Sequence, residues 1–311
     1  MLLTIIVVCS CRDNNPEKSQ ATPSTDSLSL NIGVYPSLDA LPMMLANEWG
    51  ILDSLGVSAT IHVYRSQIDA EKALATDLVD VAMSDMFRVA WWQWQKKPMR
   101  FAFVTRREMN IVPNKALRMT NINQLDDRMI AMSRFSLDDY YCDEVEKLMT
   151  KKRGQILRPQ INSVELRCKM LLSGQLDAAV LTQMQTYKAE LSGYKAMNAK
   201  AGLRDGFAGY AFNTNSLMIK EKRKQMALLN VAYNIVVNRL RDNKGRMPEI
   251  SKETQVALFL DDKVLKVMRP LKDFILAQDP NLGFVDASVA WLKKRGAVNS
   301  SFGGDTLLVE K

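Results

Sequence analysis

Ala70-Glu-Lys-Ala-Leu-Ala-Thr-Asp-Leu-Val-Asp-Val-Ala-Met83 reads as a helix, a tight turn and a strand in immediate succession. The phrase returns further along the chain as Lys169-Met-Leu-Leu-Ser-Gly-Gln-Leu-Asp-Ala-Ala-Val180, again with an aspartate beside small residues. The two copies lie too far apart for a stacked repeat array, so they predict two sheets built on one plan.

Working outward from the first copy, residues 28–35 and 57–64 alternate apolar and polar side chains as strands do. Between them, Leu41, Met44, Leu45 and Trp49 recur at helical spacing and Gly50 stops the run. After the first copy, Ser84-Asp85 ends the strand, residues 86–95 return as a helix, and 99–105 form another strand. A second cycle starts near Asn121: a strand over 129–132, then Ser136-Leu-Asp-Asp139 as a capping box for a helix running to about Met149. Residues 155–160 form a candidate strand, a helix over 164–173 closes at Gly174, and the strand of the second copy follows. Residues 207–217 carry the chain back, and the remainder is mostly helical. Such alternation predicts an α/β protein in which each sheet is mostly parallel and covered by helices on both faces.

The composition, 47% hydrophobic and 24% charged over 311 residues, is that of an ordinary globular protein of about two domains. The net charge of +8 is dispersed, with no arginine-rich arm and no aromatic-basic motif, so no nucleic-acid partner is expected. His62 is the only histidine, which excludes a histidine triad and any multi-histidine metal site; it sits in an alternating run, as a strand residue. Cys142 and Cys168 lie in helix-like segments, either as buried thiols or as a disulfide, and no CxxC pair points to zinc or redox work. Ser301-Phe-Gly-Gly-Asp305 lacks the spacing of a phosphate loop. No cofactor and no metal are expected.

The first residues form a separate region. Met1-Leu-Leu-Thr-Ile-Ile-Val-Val8 is apolar but too short to span a bilayer, which takes roughly 20 residues. Val8-Cys9-Ser10-Cys11 resembles the lipobox of bacterial lipoproteins and puts the lipidated residue at Cys11, although no Lys or Arg precedes the apolar run. Residues 1–11 are thus expected to be a signal peptide with lipobox, and 12–27, rich in Asn, Pro, Ser, Thr and charge, a flexible tether.

Gly33-Val-Tyr-Pro-Ser37 with Pro42, Ala46 and Gly50, the paired Leu-Val-Asp-Val-Ala and Gln-Leu-Asp-Ala-Ala phrases, Leu125-Asp-Asp-Arg-Met-Ile-Ala-Met-Ser133, and the closing Trp291-Leu-Lys-Lys-Arg-Gly296 together resemble the type 2 periplasmic binding proteins of ABC importers. The branch most similar serves nitrate, sulfonates, taurine and thiamine-pyrimidine precursors, and the likeness runs over about 28–298. It implies two α/β lobes joined by a two-strand hinge, near residues 103–112 and 210–217, with residues 28–107 plus 214–311 in lobe 1 and 108–213 in lobe 2. It also implies a monomeric protein anchored at the cell envelope, facing the periplasm or exterior, which closes over a small-molecule ligand and delivers it to a membrane permease.

In open parallel sheets, ligands gather beyond the carboxyl ends of the strands, where helix N-termini present free N–H groups. Those ends carry Tyr35, Pro36, Ser37 and Asp39; Arg65 and Ser66; Ser84 and Asp85; and, in the second lobe, Ser133, Ser136, Tyr140 and Thr182. Hydroxyls with a few rings suit a small polar or anionic molecule. Asp39 and Asp85 are candidate partners for a ligand ammonium, or plain helix-start carboxylates. Arg106 and Arg107, beside the hinge, suit an anion or a surface. Asp80 and Asp177 are expected to be structural. No catalytic set is expected. An enzyme on the same fold, a lyase or thiamine-pyrimidine synthase-like protein working through Asp39 and Asp85, is the alternative, as is a module that senses its ligand without delivering it.

Overall fold

A computed structural model describes residues 28–151, 154–197, 206–243 and 246–310; the expected signal peptide, the lipidation residue Cys11 and the tether lie outside the described residues. Eight strands are assigned among them: β1 (Leu30–Val34), β2 (Ala59–Val63), β3 (Val81–Asp85), β4 (Met99–Val104), β5 (Met109–Pro113), β6 (Ile130–Ala131), β7 (Ala178–Thr182) and β8 (Ala208–Asn213). The helices of eight residues or more are α1 (Leu41–Glu48), α2 (Gln67–Ala75), α3 (Met86–Trp94), α4 (Leu137–Leu148), α5 (Val164–Leu172), α6 (Gln183–Leu191), α7 (Leu229–Asp242) and α8 (Leu282–Lys294). No helix of the described residues is long and apolar enough to cross a membrane.

The strands form two sheets. The first has the order β2-β1-β3-β8-β4, with β8 alone running against its neighbours; the second has the order β5-β7-β6, with β5 reversed. Parallel bridges from Met129 to Leu157 and from Met132 to Gln160 add the expected 155–160 segment beside β6. The chain passes from the first body to the second between β4 and β5, within the expected hinge. The return differs from expectation. Ala208–Asn213 hydrogen-bonds between β3 and β4, so β8 belongs to the first sheet, and the second crossing falls before Ala208 and not at 210–217. The expected lobe boundary at residue 213 thus falls at the end of a strand of the first sheet. Their apolar pattern marks a strand but not which neighbours it pairs with.

Alternation along the strands builds the cores. Val81 and Met83 join α1 and α7 on one face of the first sheet, while Ala82 turns to α2 and α3 on the other. Ala178 and Val180 face one core of the second body, and Ala179 and Leu181 face another with Cys168 and Leu171 of α5. The repeated aspartates have matching roles. Asp80 Oδ2 accepts the Asn31 N–H at 2.8 Å and Asp177 Oδ2 accepts the Met129 N–H at 3.0 Å, each fixing the adjacent parallel strand. Asp80 further takes Lys222 at 2.8 Å, in keeping with its expected structural role. His62 sits within β2 with Nε2 2.8 Å from Asn31 Oδ1. Cys142 and Cys168 are both buried free thiols; burial pushes Cys168 up to about 11.

The two bodies share one apolar seam. Tyr140 of α4 packs against Phe87 of α3 (4.8 Å between centroids), Phe207 (5.5 Å) and Trp291 of α8 (5.9 Å). Trp291 Nε1 donates to Asp143 Oδ2 at 2.7 Å, and Arg295 reaches Asp139 at 3.3 Å. The last helix of the first body is thus strapped to α4 of the second.

Candidate functional site

Four helices start where the strands of the two bodies end against one another, and each start is set by its local sequence. Ser66 caps α2, its hydroxyl accepting the Asp69 N–H. Asp85 ends β3 and caps α3 by accepting the Arg88 N–H at 2.9 Å. Ser136 caps α4. Thr182 ends β7 and opens α6, and its hydroxyl donates to Gln185 Oε1 in place of a backbone cap. Side-chain oxygens at these positions take the N–H groups that a helix start leaves unpaired.

In the first body these ends enclose a buried ionic network. Asp39 Oδ2 accepts Arg107 Nη2 at 2.9 Å and Nε at 3.1 Å, with Ser37 donating to Oδ1 at 2.5 Å. The Arg107 guanidinium lies 5.2 Å over the Tyr35 ring and donates from Nη1 to Gln67 Oε1 at 2.9 Å. Gln67 is the junction: Tyr35 also donates to its Oε1 at 3.2 Å, while its Nε2 donates to Glu71 Oε1 at 2.8 Å and Asp85 Oδ2 at 2.7 Å. Glu71, fully buried, pairs with Arg88 Nε at 2.9 Å and accepts from Trp92 Nε1 and from Ser84.

Burial raises the Asp85 carboxyl to about 6, and the Glu71 charge adds to the rise against the Gln67 hydrogen bond and Arg107. Burial works against the Arg107 charge, but Asp39, Tyr35 and Asp85 together hold it above the ordinary arginine value. Burial pushes Tyr35 well above the usual phenol range, so it stays a neutral donor.

The second body meets this network with neutral groups. The Leu137 N–H at the start of α4 donates to Asp85 Oδ2 at 3.2 Å, and Gln185 Nε2 donates to the Pro36 carbonyl at 3.2 Å. Tyr187 of α6 donates to Asp273 at 2.9 Å. Behind them, Asp138 at the start of α4 pairs with the buried Arg167 at 2.7 Å. A cavity of about 10 Å³, room for one water, is lined by the charged Asp39, Arg106, Arg107, Glu108 and Asp273 and by Thr182 and its neighbours. Anything larger needs the bodies to part. Among the described residues, no three His, Cys, Asp or Glu side chains converge as a metal site.

Of the expected site residues, Tyr35, Pro36, Ser37, Asp39, Ser84 and Asp85 come together here. Ser66 is adjacent but spent on capping, its hydroxyl donating to Asp69 Oδ2 at 2.7 Å. Ser133 and Ser136 shape the turn into α4: the Ser136 hydroxyl donates to the Ser133 carbonyl at 2.7 Å, and Ser133 N–H donates to Asp138 Oδ2. Phe135 between them takes a left-handed φ of 52°. Thr182 lines the small cavity. Two residues lie elsewhere: Arg65 is exposed past the end of β2, and Tyr140 belongs to the aromatic seam between α3, α4 and α8. Gln67, Glu71, Arg88 and Gln185 were not singled out from the sequence. Glu71 beside Lys72 reads as a solvated helix charge; its signal was the apolar face of Ala70, Ala73 and Leu74 that it shares.

This pairing of two sheets across a hinge, with helix starts facing inward, matches a known architecture. The chain has the periplasmic-binding-protein fold. The alkanesulfonate-binding protein of Xanthomonas axonopodis pv. citri, bound to MOPS, superposes with a TM-score of 0.71 at 12% identity, over 91% of this chain and 99% of that one. The zinc-bound ligand-binding component of an ABC-type import system from Staphylococcus aureus gives 0.70 at 12% identity, over 91% and 96%. The nitrate-binding protein of Synechocystis PCC 6803 gives 0.68 at 10% identity, over 88% and 83%. No protein-family profile matches the sequence, and no curated protein compared with it does. At such identities the likeness is one of fold.

Proposed function

We propose that this chain is an extracytoplasmic solute-binding protein that captures a small polar molecule between its two bodies for an ABC importer. The observation that carries the reading is the bond from Leu137 N–H of one body to Asp85 Oδ2 of the other, with Gln185 and Pro36 meeting beside it. Helix starts from both bodies face one cleft, so a solute held there touches both and shifts the balance between parted and closed forms. The solved proteins of this fold described above, named for sulfonate, nitrate or importer-ligand binding, support the same reading. In this account Cys11 carries the lipid anchor, the protein works as a monomer, and a membrane permease receives the closed form.

Thermal unfolding of the protein, scanned against sulfonates, nitrate, pyrimidines, amino acids and polyamines, tests the proposal. A solute at 100 times its dissociation constant adds about 2.7 kcal/mol of stability. The proposal predicts a rise in the unfolding temperature from one chemical class, with the compound recovered unchanged. Recovery of an altered compound supports an enzyme instead, and no rise from any class removes the solute-binding reading.

A further inference from the structure

The charge around the cleft runs against the charge of the whole chain. The sequence carries a net +8, yet the buried network of the first body sets three carboxylates, Asp39, Glu71 and Asp85, against two guanidinium groups, Arg88 and Arg107. Both cations are taken. Arg107 is held by Asp39 through two nitrogens, and Arg88 is held by Glu71. In the second body, Arg167 already faces Asp138. Each of these guanidinium groups has a carboxylate partner, although Arg167 keeps its buried Nε without a hydrogen bond.

Asp85 is the odd member. Its Oδ1 is fixed by the Arg88 N–H and its Oδ2 takes only neutral donors, Gln67 Nε2 and Leu137 N–H, with no ion pair among the described residues. One of those donors belongs to the opposite body. When the bodies part, Leu137 leaves and Oδ2 faces the cleft as an ionised oxygen short of a donor, in a setting where a buried charge without a cationic partner is costly. A cationic N–H group meets that need, whereas an anion entering there is repelled.

We infer that the solute carries a positively charged nitrogen group, a primary ammonium or an amidinium, which seats on Asp85 Oδ2 and takes the place of Leu137 N–H. This rests on the solute-binding reading. Asp85 is then the residue that reads ligand charge, and simple sulfonates and nitrate, the ligands named for proteins of the same fold, are rejected.

Calorimetric titration of the whole protein with matched pairs that differ in the ammonium tests the inference: taurine against ethanesulfonate, β-alanine against propionate, and 1,4-diaminobutane against 1,4-butanediol. Binding is expected only from ammonium-bearing members, with a loss of about 100-fold or more when the ammonium is removed, because the site's acceptor is then left unpaired. Asp85→Asn is expected to weaken the same solute about 10-fold or more while unfolding stays cooperative. An ammonium-free member that binds as tightly as its partner, or an Asp85→Asn protein that binds unchanged, overturns the inference and leaves the solute-binding reading standing. Binding by no member of any pair, together with no stabilisation in the thermal scan, removes that reading and this inference with it.

Discussion

The two copies of the helix-turn-strand phrase end differently, and the difference divides the labour of the cleft. In the first body, β3 ends in Asp85 and leads into a buried network of ion pairs. In the second, β7 ends in Thr182 and leads into amides and hydroxyls, Gln183, Gln185 and Thr186. Across the cleft itself the first side fixes charge and the second offers neutral donors, while the charged contact of Asp139 with Arg295 lies at the aromatic seam. A body that must part from its partner and return does so at lower cost when the groups it exposes are neutral.

The sharpest way to break this comparison is to remove one cation. Arg107→Ala leaves Asp39 buried without its partner and should destabilise the protein by about 3–5 kcal/mol in urea unfolding. A loss under about 1 kcal/mol would mean the network is not the rigid side.

Next in size is the pH response of Asp85. Its folded value of about 6 lies above the ordinary aspartate value near 3.9, so between the two the folded protein holds a proton that the unfolded chain has lost. Stability from this group is therefore complete below about pH 4 and lost as pH rises through 6. Asp85→Asn lacks this titration, so its stability relative to the parent should move in its favour by about 2 kcal/mol between pH 4 and pH 7. Unfolding curves at several pH values give that difference directly, whatever constant offset the amide introduces. A flat difference would show that Asp85 is not held in this way.

The paired strand aspartates offer a smaller contrast. Asp80→Ala loses the Lys222 ion pair and the Asn31 N–H and should cost about 2 kcal/mol; Asp177→Ala loses the Met129 N–H and should cost about 1 kcal/mol. Equal losses would place the weight on the shared backbone bond alone. Gln185→Ala should cost about 1 kcal/mol, the smallest effect of a buried cleft residue, because only neutral partners are released.

The fold was legible where local pattern decides it. The copies at 70–83 and 169–180 fixed β3 and β7 because their alternation, turn and buried small residues admit one reading. The pairing of β8 was not, because nothing local in Ala208–Asn213 says which strands flank it. In the site, Tyr35, Ser37, Asp39 and Asp85 could be read as strand ends feeding helix starts. Gln67, Glu71 and Arg88 could not, since three turns of helix and a strand separate groups that meet only once α2 and α3 lie side by side. Tyr140 was misplaced for a related reason: the first turn of α4 has a cleft side and a seam side, and the sequence does not say which faces Phe87.

Hydrogen exchange reports on capture between the two bodies. With the solute that most raises the unfolding temperature, the account predicts slowed amide exchange in both bodies at once, over residues 35–39 and 85–88 and over 133–140 and 183–187, because closing the cleft shields both rims. Protection confined to one body, or spread away from these segments, would contradict capture between the two.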